Sequence, residues 1–471
     1  MLLRSLAFAV ATALVASRSV TAAAKTKQVF AHVMFGEVQG YEVQDYVDDQ
    51  VLAREVGTDA FAVNVAWYDF EPTQLERIFA AAEQTKFPLF FSFDMLHWNK
   101  AGASDAMLNE RLAVYANKST YHRIDGKIVV STFNGAEAGT YLDGVGSFEE
   151  ANQHWNKLFS DVKAKLELET PPAGVETYFA PCWLSRDPIT SSAAADLQMN
   201  AVMNWFAWGG AGQTRTVTAQ ADANWHDSAR QRGVDYWAPV GAVFNVRQAS
   251  TNNYCYPSSD QFLIAKHYGD LIKLGDNKAP DYIEFITFND WGESTYLGPV
   301  RSNRNAPQQT IDTDKYVSGH NHTAFLVLSA AYTQWYKSGT APVITSEVIF
   351  WWSRQEPIGN VPALDPLGRD DSCKGLTDEI FIVALLPEDS AAKKVVVTTG
   401  GKTAALSDSL QPGVNFLQTP FGLGETAVSL QDGSGKELVG GKGIPILSEN
   451  PSGIFDPNFF AFMEPRDFMP P

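Results

Sequence analysis

The sequence predicts an α/β protein in which a (β/α)8 TIM-like barrel is followed by a C-terminal β-sandwich domain. Three observations support this fold class. Between residues 25 and 342, eight short apolar runs alternate with segments of helical periodicity. Polar and acidic residues follow the C-terminal ends of several of these runs. Beyond Pro342 the helical periodicity stops, and short β-rich runs are separated by glycine turns.

The barrel strands are predicted from runs rich in aromatic and β-branched residues, with helices between most of them. The predicted strands are 29–36, 60–65, 88–94, 127–133, 176–183, 201–208, 236–246 and 282–288. The predicted helices are 41–56, 73–84, 104–116, 147–168, 218–232, 261–274 and 322–336. Ser104 is a plausible N-cap, and Ser147 with Glu150 forms a capping-box pattern.

A doubly wound open sheet is the structural alternative to the barrel. Such a sheet usually carries a glycine-rich phosphate loop after its first strand. Residues 36–40, with the sequence GEVQG, do not have that glycine spacing, and the GGAG run at 209–212 follows the sixth strand instead. The barrel is therefore the favoured interpretation.

The C-terminal third is predicted to be all β, with strands at 348–352, 379–386, 394–399, 414–418 and 426–430. Its carboxylates fall in predicted turns, so we expect them to be exposed to solvent. The predicted domain organisation is a signal peptide at 1–24, a catalytic barrel at 25–342 and an accessory β-sandwich at 343–471.

The first 24 residues resemble a secretory signal peptide. Arg4 supplies the positive charge, residues 6–16 form a short apolar core, and small residues end at Ala24. The apolar core is too short to span a membrane. We therefore expect a secreted, extracellular protein, and two glycosylation sequons begin at Asn117 and Asn321.

Charge and cysteine content limit the classes of partner. The net charge of −18 disfavours nucleic acid and anionic membranes, whereas 12 Trp and 16 Tyr suit stacking on a neutral polysaccharide. Cys182, Cys255 and Cys373 form no CxxC motif, so a zinc site is not expected. One disulfide and one free thiol are predicted, and the sequence leaves the pairing open.

Polar residues at the strand ends outline a candidate active site. Any one of them alone is more often a cap or turn residue, but a barrel brings all of them to one mouth. The set consists of Asn64, Asp94, Asn134, Trp183, Trp208, Asn289, Asp290 and Glu293. The segment 281–298 is the most informative, because two carboxylates three residues apart follow an apolar strand.

Asp94, Asp290 and Glu293 are the candidate catalytic residues. Hydrolysis of a glycosidic bond needs one protonated carboxyl as acid and one ionised carboxylate as base or nucleophile. Trp98 and Trp291 are close enough in sequence to desolvate a carboxyl and raise its pKa. The predicted substrate-binding residues, which offer hydrogen bonds or stacking, are Asn64, His97, Trp183, Trp208, Asn289 and Trp291. The eight histidines show no metal-ligand spacing, so no metal or cofactor is expected.

Several segments resemble glycoside hydrolase family 71, the fungal α-1,3-glucanases or mutanases. They are FAH at 30–32, DAFAVN at 59–64, FSFD at 91–94, STF at 131–133, FNDWGES at 288–294 and VIFWW at 348–352. The resemblance implies hydrolysis of α-1,3-glucan with inversion at the anomeric carbon. It also implies that Asp290 and Glu293 are the catalytic carboxylates and Asp94 a third acid. Phe288 and Thr295 depart from the family pattern, which usually has Trp and His there.

We therefore expect a secreted, monomeric α-1,3-glucanase that acts on the cell wall. Glu293 is the favoured acid because Gly292 and Trp291 would leave its carboxyl mobile and partly desolvated, while Asp290 or Asp94 would hold the attacking water. Two alternatives remain open from the sequence: a non-catalytic glucan-binding protein on the same fold, and a hydrolase of another glucan or chitin. The sequence alone does not separate endo from exo action.

Overall fold

The structure is a computed structural model that describes residues 25–100, 104–135, 148–169, 174–184, 199–209, 217–275, 277–303, 310–406 and 409–469. Its first part is a closed barrel of eight parallel strands, in which β3 pairs with β5 to close the cylinder. The barrel strands are β1 (Gln28–Met34), β2 (Ala60–Val65), β3 (Leu89–Asp94), β5 (Lys127–Gly135), β6 (Thr177–Trp183), β7 (Ala201–Asn204), β8 (Asp235–Val240) and β11 (Tyr282–Phe285). A two-residue strand, β4 (Arg123–Ile124), pairs antiparallel with β5.

Helices pack around these strands, and their bounds lie close to those predicted. They are α1 (Val43–Glu55), α2 (Glu71–Thr85), α3 (Met95–Lys100), α4 (Asp105–Ala116), α5 (Phe148–Glu169), α6 (Ala219–Gln231), α7 (Leu263–Lys273), α8 (Asp314–Val317) and α9 (Thr323–Ser338). The short helices α3 and α8 were not predicted. Ser104 caps α4 by accepting a hydrogen bond from the backbone N–H of Met107 at 3.4 Å. The predicted cap at Ser147 lies outside the described residues.

The predicted seventh strand, 236–246, is wrong in its extent. The strand β8 ends at Val240, and at Gly241, the next residue, a side chain would lie only 2.6 Å from the indole nitrogen of Trp208. The apolar pattern continues because residues 241–246 are also buried. The end of this stretch begins β9 (Asn245–Ala249), which forms a hairpin with β10 (Asn252–Cys255).

The predicted eighth strand also ends earlier than expected, at Phe285 instead of Phe288. Beyond Phe285 the chain begins to bond to its own loop. The N–H of Thr287 donates to the carbonyl of Thr295 at 3.2 Å, and the N–H of Leu297 donates to the carbonyl of Thr287 at 3.1 Å. This local pairing shapes the loop that carries Asp290 and Glu293.

The C-terminal part consists of two four-stranded antiparallel sheets, which confirms the predicted β-sandwich. In spatial order, one contains β16 (Gly413–Pro420), β13 (Glu379–Leu386), β12 (Val348–Ser353) and β19 (Phe460–Glu464). The other contains β15 (Lys402–Leu406), β14 (Lys394–Thr399), β17 (Ala427–Gln431) and β18 (Glu437–Lys442). The strands β15, β18 and β19 were not predicted.

The strand β12 shows how the sandwich attaches to the barrel. Its residues alternate between two buried faces. Phe350 and Trp352 belong to the barrel's apolar core, whereas Ile349 and Trp351 belong to the core between the two sheets. The ring of Trp352 contacts Phe325 of α9 at a centroid distance of 5.1 Å. The barrel and the sandwich therefore share a continuous hydrophobic contact.

The cysteine pairing is decided by the fold. Cys255 at the end of β10 forms a disulfide with Cys373, and Cys182 is the buried cysteine that lies outside this disulfide. In the described ranges, no helix is both long and apolar enough to cross a bilayer.

Candidate active site

A cavity of about 580 Å³ opens at the C-terminal ends of the barrel strands. Successive strands supply its polar side chains, because parallel strands in a barrel all end at the same face. Glu37 follows β1, Asp94 ends β3, and Asp290 and Glu293 follow β11. All four carboxyl groups line this one cavity. The predicted convergence of Asp94 with Asp290 and Glu293 is therefore present in the structure.

The loop that carries Asp290 and Glu293 is held by hydrogen bonds to its own backbone. The backbone N–H of Asp290 donates to the hydroxyl of Thr287 at 2.7 Å, and its carbonyl accepts from the N–H of Thr295 at 3.1 Å. The carbonyl of Glu293 accepts from the N–H of Asn245 on β9 at 3.0 Å. These bonds fix the direction in which both carboxyl groups leave the loop.

Asp290 and Glu293 differ in how their charges are supported. Oδ1 of Asp290 accepts a hydrogen bond from the backbone N–H of Glu293 at 2.9 Å. Burial raises the pKa of Asp290 to about 6, and this hydrogen bond opposes the rise. Burial, followed by the charges of Asp290, Glu37 and Asp94, raises the pKa of Glu293 well above its usual range. Of the two, Glu293 is therefore the carboxyl that keeps its proton to higher pH.

Asp94 is fixed by three hydrogen-bond donors. Its Oδ1 accepts from the backbone N–H groups of Leu96 and His97 at 3.1 and 3.0 Å. Its Oδ2 lies 3.2 Å from Nδ1 of His97, whose Nε2 lies 3.3 Å from the hydroxyl of Tyr68. The first turn of α3 thus orients Asp94 and links it to two further side chains on the cavity wall.

Glu37 is the carboxylate that sequence reasoning missed. It lies three residues past the end of β1, is 8% exposed and lines the cavity. A side chain at Gly292 would lie 3.3 Å from Oε1 of Glu37 and would clash with the amide of Gln248. Gly292 therefore allows Glu37 and Gln248 to approach the loop that carries Asp290 and Glu293 closely. A carboxylate just after a barrel strand was the available signal, and it lay in the GEVQG segment judged only for phosphate binding.

Aromatic side chains form another part of the cavity wall. Trp208 contacts Phe244 at a centroid distance of 5.0 Å, and Phe244 contacts Tyr256 at 4.5 Å. Trp205 and Tyr254 also line the cavity. Only Trp208 was predicted. Trp205 fell inside the predicted sixth strand, 201–208, but β7 ends at Asn204, and the hairpin that carries Tyr254 was not predicted. Such residues offer flat apolar faces to a sugar ring in the same cavity as the carboxyl groups.

The predicted substrate-binding residues divide into two groups. Asn64, His97 and Trp208 line the cavity, whereas Trp183, Asn289 and Trp291 are not among the described side chains that do so. Trp183 lies in the barrel core. Asn289 instead bonds to the backbone of Met34, accepting at 2.7 Å and donating at 3.2 Å.

Trp291 is fully buried, with its ring 6.1 Å from that of Tyr41. It therefore packs beneath the loop and does not face a ligand. The side chain of Trp98 lies outside the described part of the structure.

Within the described ranges, no group of three or more His, Cys, Asp and Glu side chains is arranged to hold a metal ion. The chemistry available from the residues present is proton transfer between carboxyl groups and a bound ligand. Two or more carboxyls with different pKa values are what an acid–base hydrolysis of a glycosidic bond requires.

Comparison with known proteins gives the same interpretation. The family model for glycosyl hydrolase family 71 matches residues 25–466. The glucan endo-1,3-alpha-glucosidase agn1 of Schizosaccharomyces pombe is 30% identical over 430 residues, covering 88% of this chain and 91% of that protein. The mutanase Pc12g07500 of Penicillium rubens is 26% identical over 421 residues, covering 88% and 84%.

Among solved structures, a GH99 endo-alpha-mannosidase from Bacteroides thetaiotaomicron superposes with a TM-score of 0.44 at 14% identity. The match covers 63% of this chain and 80% of that one. The family match extends over nearly all of the chain that follows the predicted signal peptide, and it confirms the resemblance inferred from the strand-end motifs. The chain belongs to glycosyl hydrolase family 71.

Proposed function

We propose that this protein is a secreted hydrolase that cleaves α-1,3-glucan by a metal-independent inverting mechanism. The observation that carries the proposal is the meeting of Asp94, Asp290 and Glu293 around one cavity with an aromatic wall. The two relatives are named as a glucan endo-1,3-alpha-glucosidase and a mutanase, and we extend that substrate class and internal cleavage to this chain.

In this mechanism Glu293 is the general acid. Its raised pKa keeps the proton on the carboxyl to higher pH than an ordinary glutamate would hold it, as a general acid requires. The proton passes from Glu293 to the glycosidic oxygen as the bond to the anomeric carbon breaks. Glu293 becomes a carboxylate, and the leaving sugar departs as an alcohol.

The base is Asp290 or Asp94. A water molecule on the opposite face of the sugar loses its proton to that carboxylate as its oxygen attacks the anomeric carbon. Asp290 ionises more readily than Glu293, since it accepts a backbone hydrogen bond, and Asp94 is held in one orientation by its three donors. An inverting pair is separated by about 6.5–9.5 Å, which leaves room for the water.

The remaining wall binds the polymer. We assign sugar stacking to the aromatic side chains near Trp208 and hydroxyl recognition to Asn64, His97 and Glu37. A neutral glucan suits this cavity, because it needs hydrogen bonds and flat apolar faces and brings no charge of its own to the acidic side. The acidic protein as a whole also has no attraction for polyanions.

Secretion, cleavage of residues 1–24, glycosylation and a monomeric state are part of the proposal. Asn117 and Asn321 are both exposed, as a glycan attachment site must be. Cys255–Cys373 is a disulfide of a kind that persists in an oxidising compartment. N-terminal sequencing of the exported protein tests the cleavage of residues 1–24, and an intact Met1 would contradict it. Glycosidase treatment of the same protein tests glycosylation.

The decisive experiment follows the products of α-1,3-gluco-oligosaccharides by proton NMR within the first turnovers. Inversion predicts the β-anomer as the first product, and initial release of the α-anomer contradicts it. Binding to insoluble α-1,3-glucan without release of reducing sugar would instead indicate a glucan-binding protein. For the Glu293→Gln variant of the proposed acid, Glu425→Gln is a matched control, because it makes the same chemical change at an exposed site on the sandwich.

A further inference from the structure

We infer that the C-terminal part of the chain positions the β9–β10 hairpin as a wall of the substrate cavity, and so acts directly on glucan binding. The part concerned, which we call the clamp, comprises residues 354–376 and 455–457. The inference rests on the proposed function, because it names how that same cavity is held. It assigns the clamp a role in the active site that an accessory domain attached at a distance would not have.

The front of the hairpin faces the ligand. Gln248, Asn252 and Tyr254 line the cavity, and the amide of Asn252 donates to Oε1 of Gln248 at 2.7 Å. Gln248 lies against Gly292 of the catalytic loop. Tyr254 shares this cavity with Glu293, the proposed general acid. A shift of this hairpin would therefore displace polar groups beside the reacting bond.

The hairpin has little support of its own. In the described part of the chain, β9 and β10 pair only with each other, and an isolated two-stranded hairpin is marginally stable in water. Its conformation must therefore depend on what packs behind it. The contacts behind the hairpin come from the clamp, which lies more than a hundred residues further along the chain.

The first of these contacts is a buried ion pair. The guanidinium of Arg247, on β9, is 1% exposed and donates to Oδ1 of Asp365 at 2.8 Å and to the carbonyl of Phe455 at 2.5 Å. Asp365 is fully buried and also accepts from the backbone N–H groups of Leu367, Gly368 and Phe455 at 2.9, 3.0 and 2.6 Å. Removing either charge would leave its partner uncompensated in the interior.

The second contact is covalent. The disulfide Cys255–Cys373 joins the last residue of β10 to the clamp, and the N–H of Cys255 donates to the hydroxyl of Ser372 at 2.9 Å. Both cysteines belong to a small apolar cluster with Ile358, Leu376 and Phe455.

A second buried ion pair lies just past the hairpin, where Arg354 donates to Asp260 at 2.7 Å. The clamp is therefore attached to β9, to the end of β10 and to the segment that follows the hairpin.

These contacts also correct an expectation from the sequence. The carboxylates of the C-terminal part were predicted to lie in exposed turns, but Glu356 and Asp456 are buried, and so is the side chain of Asp365. Asp365 does lie in a loop, and it is buried because that loop packs against the barrel side of the molecule. The prediction was wrong because a turn signal in sequence does not reveal which surface covers the turn.

The test measures glucan binding separately from catalysis. Asp365→Asn and the double variant Cys255→Ser, Cys373→Ser are made in the full chain, each with and without Glu293→Gln. In the Glu293→Gln background, titration with a soluble α-1,3-gluco-oligosaccharide reports Kd. In the active background, kinetics report KM and kcat. We expect Kd and KM to rise about tenfold, equivalent to about 1.4 kcal/mol, with a smaller change in kcat.

Asp371→Asn is the matched control, because it makes the same change at an exposed position within the clamp. A second variant, Gln248→Ala, tests whether the clamp acts through the hairpin. Combined with Asp365→Asn, it should give less than the sum of the two separate effects on Kd, since both remove the same wall. Additive effects would contradict the inference.

Unchanged Kd and KM would overturn the inference if the circular dichroism of each variant is native. For the double cysteine variant, the mass must also show that the disulfide is absent. If the variants do not fold, the native protein is reduced with dithiothreitol under conditions where it stays folded, and reoxidation should restore its Kd. An unchanged Kd after verified reduction would also overturn it. Failure of the proposed function is a different outcome, because the unmodified protein would then neither bind nor cleave α-1,3-glucan.

Discussion

The backbone N–H of Glu293 donates a hydrogen bond to Oδ1 of Asp290 at 2.9 Å, and this contact makes two neighbouring carboxyls unequal. Both line the same cavity, so ionising both at once is unfavourable. The hydrogen bond stabilises the charge on Asp290 and leaves the proton on Glu293. Two residues of one loop thus hold their protons to different pH, as the proposed acid and its ionised neighbour require.

Glu293→Gln and Asp290→Asn should each lower kcat by about 10²- to 10⁴-fold, the usual contribution of a positioned acid or base. Neither change should reduce Tm, because each removes an ionisable group from a crowded acidic cavity and leaves the apolar core intact. Steady-state kinetics and thermal denaturation of both variants check this, with Glu425→Gln as the matched control. Near-wild-type turnover in both would contradict the assignment.

Substrates with different leaving groups separate the acid from the base. An α-glucosyl fluoride built on an α-1,3-linked oligosaccharide needs little protonation to depart. We therefore expect Glu293→Gln to recover most of its activity on the fluoride, whereas the variant that lacks the base should stay slow on both substrates. Comparing Asp290→Asn with Asp94→Asn on the same pair of substrates identifies the base. If Glu293→Gln is equally impaired on both, Glu293 is not the acid.

Glu37→Gln should shift the pH dependence of activity in a defined direction. Glu37 adds negative charge near Glu293 and so raises its pKa, after burial and the larger effect of Asp290. Removing that charge lowers the pKa of Glu293, so the acid loses its proton at lower pH. The alkaline limb of the kcat/KM profile should therefore move to lower pH. Glu42→Gln, at an exposed position nearby in sequence, is the control and should leave the profile unchanged.

Glu356→Gln should stabilise the protein at alkaline pH and much less at acidic pH. Burial, the largest cause, raises the pKa of Glu356 to about 7, while the carboxyl accepts a hydrogen bond from the N–H of Asp456 at 2.9 Å. Because the folded state holds this proton more tightly than the unfolded state, the stabilisation it provides is lost as pH rises through about 7. Glutamine keeps an acceptor and cannot ionise. Tm measured for both proteins from about pH 4 to 9 should diverge as pH rises from 4.5 to about 7 and differ by a constant amount above that; a difference that is constant over the whole range would contradict this.

Chelation should leave activity unchanged, because the proposed mechanism moves protons between carboxyls and water and uses no Lewis acid. Dialysis of the protein against EDTA, followed by assay with and without added divalent cations, checks this. Loss of activity on chelation that a divalent cation restores would require a different mechanism. A known metal-dependent hydrolase treated in the same way shows that the chelation was effective.

Local sequence pattern was sufficient for the barrel, the sandwich and three of the four cavity carboxylates. Strands such as β2 and β3 are continuous apolar runs because both of their faces are buried, and the polar residues that follow mark the barrel mouth. Asp94, Asp290 and Glu293 follow strands that such a pattern identifies. Their convergence then follows from the fold class alone, because all parallel strands of a barrel end on one side.

Only the tertiary structure decided the pairing of Cys255 with Cys373, the burial of Asp365 and the place of the β9–β10 hairpin on the cavity wall. The two cysteines are 118 residues apart, so neither spacing nor periodicity could relate them. The predicted seventh strand, 236–246, ran past β8 into the first two residues of β9, because residues 241–246 are buried outside the sheet and show the same pattern as a strand inside it. Sequence periodicity reports that a residue is covered, whereas the identity of the covering surface depends on contacts between segments distant along the chain.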